Sequence, residues 1–280
     1  MGMSILTNTT SLTAQRNLSK SQGAMANNIA KLSSGLRINK AADDAAGLGI
    51  SENLKADIRG LAQAGRNAND AVSLAQVAEG AMNEQQGIVT RMRELAVQAS
   101  NGTLGSTERS YIDTEFDALS SELNRISNTT EYNGQKLIEG SASAGLTMQV
   151  GFQNTSNDRI SMSVTRLVTS TLGTGALHIA SVSMSTATNA QASLAAFDGA
   201  IEQLSTARAK VGAFQNRASI TISNLGVAHE NLSAANSRIR DVDVASEAAS
   251  MTKNQILSQA GISVLSQANS LPSSALALIG

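Results

Sequence analysis

The sequence LSSGLRINKAADDAAGLGIS, Leu32–Ser51, interrupts a region that otherwise favours helix. It contains three glycines and two adjacent acids: Gly35, Gly47, Gly49, Asp43 and Asp44. A glycine turn could hold a phosphate, and paired carboxylates could hold a metal ion. The architectural alternative is a break between two long helices. The patterns on either side of the stretch decide between these interpretations.

Both flanks of this stretch have the apolar spacing of helices that pack along a seam. Upstream, apolar residues recur in steps of seven, four, three and four at Leu18, Met25, Ile29, Leu32 and Leu36. Downstream, a longer series runs through Leu54, Ile58, Leu61, Val72, Ala75, Ala78, Met82, Val89, Met92, Ala96 and Ala99. We predict one helix over about the first 35 residues and a second over about residues 44–100.

The remainder of the chain has helical spacing except near its middle. A third helix is predicted from Ser106, a fourth from Leu194, and a last segment has Ile256, Ala260, Val264 and Leu271 on one side. Between them, LTMQVGFQ and RISMSVTRL alternate apolar and polar residues, which predicts a β-hairpin at about 145–168. Residues 169–192 have weak periodicity and are predicted to form an exposed turn region.

The predicted fold class is therefore mainly α. Both ends of the chain are expected to form a long antiparallel helical hairpin or coiled-coil bundle, with a small β-hairpin region near the middle. Aromatic residues make up only 2% of the chain and there is a single proline, a composition that suits long helices.

Composition also excludes several partners. The net charge of −1 comes from interspersed signs without a basic block, so no nucleic acid partner is expected. No run of about 18 apolar residues occurs, so membrane insertion is not expected either. The first residues lack the pattern of a cleavable signal peptide. Charged residues are 15% of the chain against about 25% in typical soluble domains, which suits packing against copies of itself.

The candidates for chemistry are weak. Adjacent residues on a helix project about 100° apart, so Asp43 and Asp44 are poorly placed to chelate one ion and better placed to complement a helix dipole. The glycines lack the spacing of a nucleotide-binding loop, and His229–Glu230 lacks a second histidine at Ser233. With no cysteine in the chain, no catalytic residue, metal site or cofactor is predicted, and the protein is not expected to be an enzyme.

At this point long motifs carry a resemblance to a known family. They are SLTAQRNLSKSQ, KLSSGLRINKAADDAAGLGIS, IRGLAQAGRNANDAVSLAQVAEGAMNE, RMRELAVQASNG, NRISNTTEYNGQKLIEG and the C-terminal SRIRDVDVASEAASMTKNQILSQAGISVLSQANS. Their sequences and order closely resemble bacterial flagellin. The resemblance implies an extracellular, self-assembling subunit of the flagellar filament, here a short form without variable outer domains.

The resemblance also implies a division of the chain between two concentric tubes. Residues 1–41 plus 240–280 would form the inner tube, and residues 42–239 the outer-tube domain. Inner-tube assembly would use Leu18, Met25, Ile29, Leu32, Leu36, Ile256, Ala260, Val264 and Leu271. The junction between the tubes would use Gly35, Asn39, Asp43 and Asp44, with Gly47 and Gly49 allowing close packing nearby.

Further partners are implied by the resemblance. They are copies of the chain, flagellar cap and junction proteins, an export chaperone at the C-terminal region, and the innate-immune flagellin receptor. Family members leave the cell by type III export without a cleavable signal peptide. Arg91, Leu95 and Glu115 match the receptor-facing positions, although the pattern TRMRELAVQASNG by itself indicates an ordinary solvated helix face.

Three alternatives remain open from the sequence. A hook–filament junction protein shares the terminal features but would not elongate from its own seeds. A secreted coiled-coil adhesin would bind a ligand as a folded monomer, and a secreted enzyme would need a reactive group of residues that the sequence does not offer.

Overall fold

The computed structural model describes residues 7–174 and 177–276, with side chains up to residue 270. Its five long helices are α1 (Thr9–Ser34), α2 (Ala45–Ala99), α3 (Ser106–Thr129), α4 (Ala187–Arg240) and α5 (Val244–Leu276). The mainly α fold is therefore confirmed. Among the described residues, no helix has the length and apolar character needed to cross a membrane.

Three short antiparallel pairs of strands lie between α3 and α4. The strands are β1 (Glu131–Tyr132), β2 (Gln135–Lys136), β3 (Leu146–Gln149), β4 (Arg159–Met162), β5 (Gly173–Thr174) and β6 (Leu177–His178). Strands β3 and β4 pair with Leu146 opposite Met162 and Gln149 opposite Arg159. The small β-hairpin region near the middle is therefore confirmed.

The chain forms two compact units. One contains Met1–Ile58 and Glu230–Gly280, and the other is Arg59–His229. In the first unit α1 packs along α5, so the two ends of the chain form the predicted antiparallel pair. Helices α2 and α4 each contribute residues to both units.

The Arg59–His229 unit has a continuous apolar core. It is built from the helix faces that the spacing predicts, including Ala75, Ala78, Met82, Val89, Met92, Ala96, Ile112, Phe116, Leu123, Phe197, Leu204, Val211 and Phe214. Phe116 and Phe197 meet edge to face, with ring centroids 6.0 Å apart and an interplanar angle of 71°. This geometry is favourable for two aromatic quadrupoles.

The prediction of an exposed turn region over residues 169–192 is wrong. Leu172, Ile179 and Met184 are buried in the core of the Arg59–His229 unit, and α4 begins at Ala187 rather than near Leu194. These apolar residues are separated by seven and five positions in irregular backbone. Their burial therefore leaves no helical or strand period in the sequence.

Candidate assembly surface

The two terminal helices meet along a seam of mostly small and polar side chains. Shielded positions recur every three and four residues on each helix, as in a heptad repeat. On α1 they are Ser11, Ala14, Leu18, Ser21, Met25, Asn28 and Leu32. On α5 they are Glu247, Met251, Asn254, Ser258, Gly261, Leu265 and Ala268.

Close approach and hydrogen bonds define this seam. A Cβ atom added to Gly261 would lie 3.3 Å from Leu18 Cδ1, tighter than most real contacts. Near the start of α1, Asn8 donates from Nδ2 to the carbonyl of Ala268 at 2.8 Å, and Ser11 Oγ donates to Asn269 Oδ1 at 2.7 Å. The large apolar side chains of the seam are Leu18, Met25, Leu32, Met251 and Leu265, and they are half-buried.

The apolar residues of the terminal helices lie largely outside this seam. Exposed large side chains on the pair are Leu12, Ile29, Val244, Ile256, Leu257, Ile262 and Val264. Ile256 is 59% exposed and Val264 is 53% exposed. A helix pair whose internal seam is mostly small and polar thus leaves these large apolar side chains exposed within the chain.

The predicted assembly residues divide between these two surfaces. Leu18, Met25 and Leu32 are half-buried in the seam of their own chain. Ile29, Ile256, Ala260 and Val264 are exposed. The prediction for Leu271 lies outside the residues whose side chains are described.

The non-helical residues 35–44 explain the interruption between α1 and α2. Gly35 ends α1 in the left-handed conformation at φ 71°, which glycine adopts without strain. Its carbonyl accepts from Val242 N at 3.1 Å, and Arg37 N donates to the carbonyl of Arg240 at 2.6 Å. Leu36 and Asp241 form an antiparallel bridge. The segment is thereby tied to the link between α4 and α5.

The acidic pair has a structural role at the start of α2. Asp44 Oδ1 accepts from Gly47 N at 2.8 Å, which is an N-cap interaction. Asp43 Oδ2 accepts from the backbone N–H groups of Lys40 and Asn39, at 2.9 and 3.1 Å. These two backbone donors lower the pKa of Asp43 below its ordinary value, with the bond from Lys40 the larger cause.

Gly47 and Gly49, near the start of α2, differ in their surroundings. A Cβ atom at Gly47 would lie 2.3 Å from Asp44 Oδ2 and 2.9 Å from Ile38 Cδ1, so the predicted close packing is confirmed there. At Gly49 no described atom lies within 4 Å of such a Cβ, and the prediction is wrong within this chain.

The Arg59–His229 unit contains the predicted outer face. Arg91 on α2 donates from Nη2 and Nε to Glu115 Oε1 on α3, at 2.8 and 3.0 Å, and from Nη1 to Glu94 Oε2 at 3.1 Å. These carboxylates raise the pKa of Arg91, chiefly through the hydrogen bond with Glu115. Both partners in this interhelical pair are about half exposed.

Leu95 does not belong to this face. It is 1% exposed and packs in the core with the apolar face of α2. Arg91 and Leu95 are four residues apart, but Leu95 belongs with Met92 and Ala96 to the buried stripe of α2, whereas Arg91 lies at its exposed edge. Leu95 therefore belongs to the core and not to the exposed face.

The described residues contain no group of three or more His, Asp or Glu side chains that could hold a metal ion. The fold defines a mainly helical protein whose two ends pair with each other. Two family models match the chain: the bacterial flagellin N-terminal helical region over residues 5–143 and the C-terminal helical region over residues 194–279.

Curated relatives match over nearly their whole length. A flagellin of Halalkalibacterium halodurans is 45% identical, covering 94% of this chain and 93% of the relative. Flagellin of Bacillus subtilis is 43% identical, over 99% of this chain and all of the relative. The flagellar filament 33 kDa core protein of Treponema phagedenis is 38% identical, over 97% and 98%.

Solved structures agree with this likeness. The crystal structure of Bacillus cereus flagellin has a TM-score of 0.50 and 28% identity, covering 57% of this chain and 88% of that one. The structure of a putative flagellar hook-associated protein from Vibrio parahaemolyticus shares the fold, with a TM-score of 0.60. It is 16% identical, and the match covers 71% of this chain and all of that one. The chain belongs to the bacterial flagellin family, the structural subunits of the flagellar filament, and is a short form without variable outer domains.

Proposed function

We propose that this chain polymerises through its terminal helices into a filament. Residues 1–41 and 240–280 would form the inner tube, and residues 42–239 the outer tube. One observation carries the proposal: large apolar side chains on α1 and α5 are exposed outside a seam that is mostly small and polar. Copies of the same chain supply matching faces, because every subunit presents the same helix pair.

The hydrophobic effect favours burial of these exposed side chains against neighbouring subunits. Complete burial of a large apolar side chain contributes roughly 1.5–3 kcal/mol, so a half-exposed one can gain about 1 kcal/mol on assembly. Ile29, Ile256, Ala260 and Val264 are the proposed contacts between subunits. Leu18, Met25 and Leu32 hold α1 against α5, with Leu36 at the adjoining bridge.

The junction would transmit position from one tube to the other. Gly35, Asn39, Asp43 and Asp44 lie in the non-helical segment between α1 and α2. Their hydrogen bonds lie within the unit of Met1–Ile58 and Glu230–Gly280 and fix the course of this segment. We assign this segment the role of the junction on that basis.

Seeded polymerisation tests the proposal. Purified full-length chain is added to sheared filaments, and growth is followed by sedimentation and electron microscopy. The matched control lacks residues 1–40 and 241–280 and should remain soluble and helical. Growth by this truncated chain, or a full-length chain that stays monomeric on seeds shown to be active, would contradict assembly through the ends.

A hook–filament junction protein is the alternative to test alongside. The fold shared with the hook-associated protein supports it, while the near full-length identity with flagellins favours the filament subunit. A junction protein would bind filament ends without elongating them, so the length of the product separates the two.

The remaining partners follow from the same surfaces. An export chaperone that covers the exposed apolar residues of α5 would prevent premature polymerisation inside the cell. Cap and junction proteins would contact the same helices at the filament ends. We further propose type III export without a cleavable signal peptide to an extracellular filament.

Free subunits would present Arg91 and Glu115 to the innate-immune flagellin receptor. The exposure of both side chains of this ion pair supports that proposal. A receptor-reporter assay on Arg91→Ala should show a weaker response than on the native chain. Arg125→Ala is the matched control, because Arg125 is an exposed α3 arginine paired with Glu122. Equal loss in both variants would exclude a specific role for Arg91.

A further inference from the structure

The chain contains two Asn-Gly dipeptides, Asn101–Gly102 and Asn133–Gly134, in different backbone settings. After asparagine, a glycine leaves the following peptide nitrogen unshielded, because it has no side chain. That nitrogen can attack the asparagine Cγ atom. We propose that Asn101 is a site of spontaneous deamidation and isoaspartate formation, and that Asn133 is protected by its turn.

The reaction needs water as its only co-reactant. A bond forms between the glycine nitrogen and Cγ, the bond from Cγ to Nδ2 breaks, and ammonia leaves with the proton of the attacking nitrogen. Water then opens the resulting succinimide ring at either carbonyl. The products are aspartate and isoaspartate, the latter with an extra methylene group in the main chain.

Asn133 has a backbone conformation that opposes ring closure. Its φ is 50° and that of Gly134 is 77°, the two positive values of a type I′ hairpin turn. In the left-handed region ψ is about +30 to +60°. The nitrogen of the next residue then lies nearly opposite Cβ across the Cα–C bond, so it points away from Cγ.

The flanking hairpin holds Asn133 in that conformation. Tyr132 pairs with Gln135 and Glu131 with Lys136, directly outside the turn. Beyond them Leu137 N donates to the carbonyl of Thr130 at 3.2 Å, and Lys136 Nζ lies 3.3 Å from Glu131 Oε2. Rotation of Asn133 toward a reactive ψ would therefore disrupt this pairing.

Asn101 lies in the exposed turn between α2 and α3 and is not flanked by paired strands; its N–H donates to the carbonyl of Gln98 at 3.1 Å, and its carbonyl accepts from Leu104 N at 3.3 Å. Among the described residues other than glycine, Asn133 alone has a positive φ, so Asn101 has an ordinary negative φ. Asn101 Oδ1 accepts from Thr103 N at 3.2 Å, which folds its side chain over the peptide of Gly102. The N–H of Gly102 takes part in none of the backbone hydrogen bonds of the described residues.

Reaction at Asn101 would alter the end of α2. The carbonyl of Asn101 accepts from Arg109 Nη2 at 2.9 Å, while Arg109 Nε donates to the carbonyl of Ala99 at 2.9 Å. In an isoaspartate the main chain runs through Cβ and Cγ, and this carbonyl becomes part of a free carboxylate outside the main chain. The bridge from Arg109 to the end of α2 must then shift.

Ageing of the full-length chain in mildly alkaline buffer tests this inference, with tryptic peptide mapping and enzymatic isoaspartate labelling. Trypsin releases Asn101 and Asn133 on separate peptides, since Arg93, Arg109, Arg125 and Lys136 bound them. We expect Asn101 to convert at least about tenfold faster than Asn133 in the folded chain, because reaction at Asn133 requires local opening. In denaturant the two rates should converge.

Two variants sharpen the test. Gly102→Ala adds a side chain into open space and should slow reaction at Asn101 without affecting the fold. Asn101→Gln should remove the fast component. Equal rates at the two sites in the folded chain, a faster Asn133, or the same rate ratio in denaturant would each overturn the proposal, which does not depend on filament assembly.

Discussion

The terminal helix pair and the Arg59–His229 unit bury their apolar side chains in opposite ways. In the Arg59–His229 unit, the apolar stripes of α2, α3 and α4 face one core with the strand region. In the pair of α1 and α5, mostly small and polar residues face inward beside a few half-buried apolar ones, and residues such as Ile256 and Val264 remain exposed. In the first arrangement the apolar side chains are buried within the unit itself. In the second, the exposed apolar side chains contribute to stability only when another surface covers them.

The largest expected effect is on the core of the Arg59–His229 unit. Phe197→Ala should lower the free energy of unfolding by about 3–5 kcal/mol, because a fully buried aromatic ring and its contact with Phe116 are lost. Denaturant titration followed by circular dichroism measures the change. Tyr111→Ala is the control, since Tyr111 is 70% exposed and its replacement should change little. Similar losses in both variants would contradict the assignment of the core.

An equivalent shortening of a side chain on a terminal helix should leave the stability of the monomer nearly unchanged. Ile256→Ala should alter monomer stability by less than about 0.5 kcal/mol. It should nevertheless raise the critical concentration for polymerisation roughly fivefold, through loss of about 1 kcal/mol of burial per subunit. Sedimentation at several protein concentrations measures this.

Gln255→Ala provides the control on the same helix, because Gln255 is an exposed polar neighbour of Ile256. An unchanged critical concentration for Ile256→Ala would place the subunit contact elsewhere. A loss of monomer stability instead would show that the terminal helices bury Ile256 within the chain.

The start of α2 should show an intermediate effect. Asp44→Ala removes the acceptor for Gly47 N and should destabilise the terminal unit by about 0.5–2 kcal/mol. Asp44→Asn keeps a side-chain oxygen and should retain most of the stability. Thermal unfolding of both variants measures the difference, and equal destabilisation would show that charge rather than capping matters.

The effect of pH on folding stability through Asp43, in the junction segment, should be smaller still. The pKa of Asp43 is lowered in the folded chain by hydrogen bonds from Lys40 and Asn39. A lowered pKa means that the folded state binds the proton less readily, so the ionised carboxylate contributes stability above the ordinary value of 3.8. That contribution is lost as pH falls below this value through the folded pKa.

The difference between the native chain and Asp43→Asn isolates this effect. Their melting temperatures should differ most above pH 3.8 and converge under more acidic conditions. A carboxyl NMR titration of Asp43 gives the folded pKa directly. A midpoint at or above the ordinary value would contradict the two backbone hydrogen bonds.

The smallest effect on stability is expected at Arg91. Its ion pairs with Glu115 and Glu94 are exposed and screened by solvent and salt. Arg91→Ala should therefore leave the unfolding midpoint of the chain within experimental error at physiological salt. A clear loss of stability that disappears at high salt would show that the interhelical pair contributes to the fold.

Regular helices were predictable because their cores leave a period in the sequence. The series from Val72 to Ala99 predicts the buried stripe of α2, and the two helix breaks at residues 35–44 and 101–105 follow from glycine and polar residues. Burial of Leu172, Ile179 and Met184 was not predictable in this way. Irregular backbone gives no period, so only the surrounding core determines which of its side chains are covered.

The sequence by itself determined the helical class, the β-hairpin near the middle and the membership of the flagellin family, because periodicity and long motifs are local properties of the chain. The tertiary structure decided how the apolar residues of the termini are divided. Leu18 and Val264 have the same kind of helical spacing, yet one lies in the seam and the other is exposed. Spacing shows that residues share a helix face, whereas the partner of that face depends on which helix packs against it.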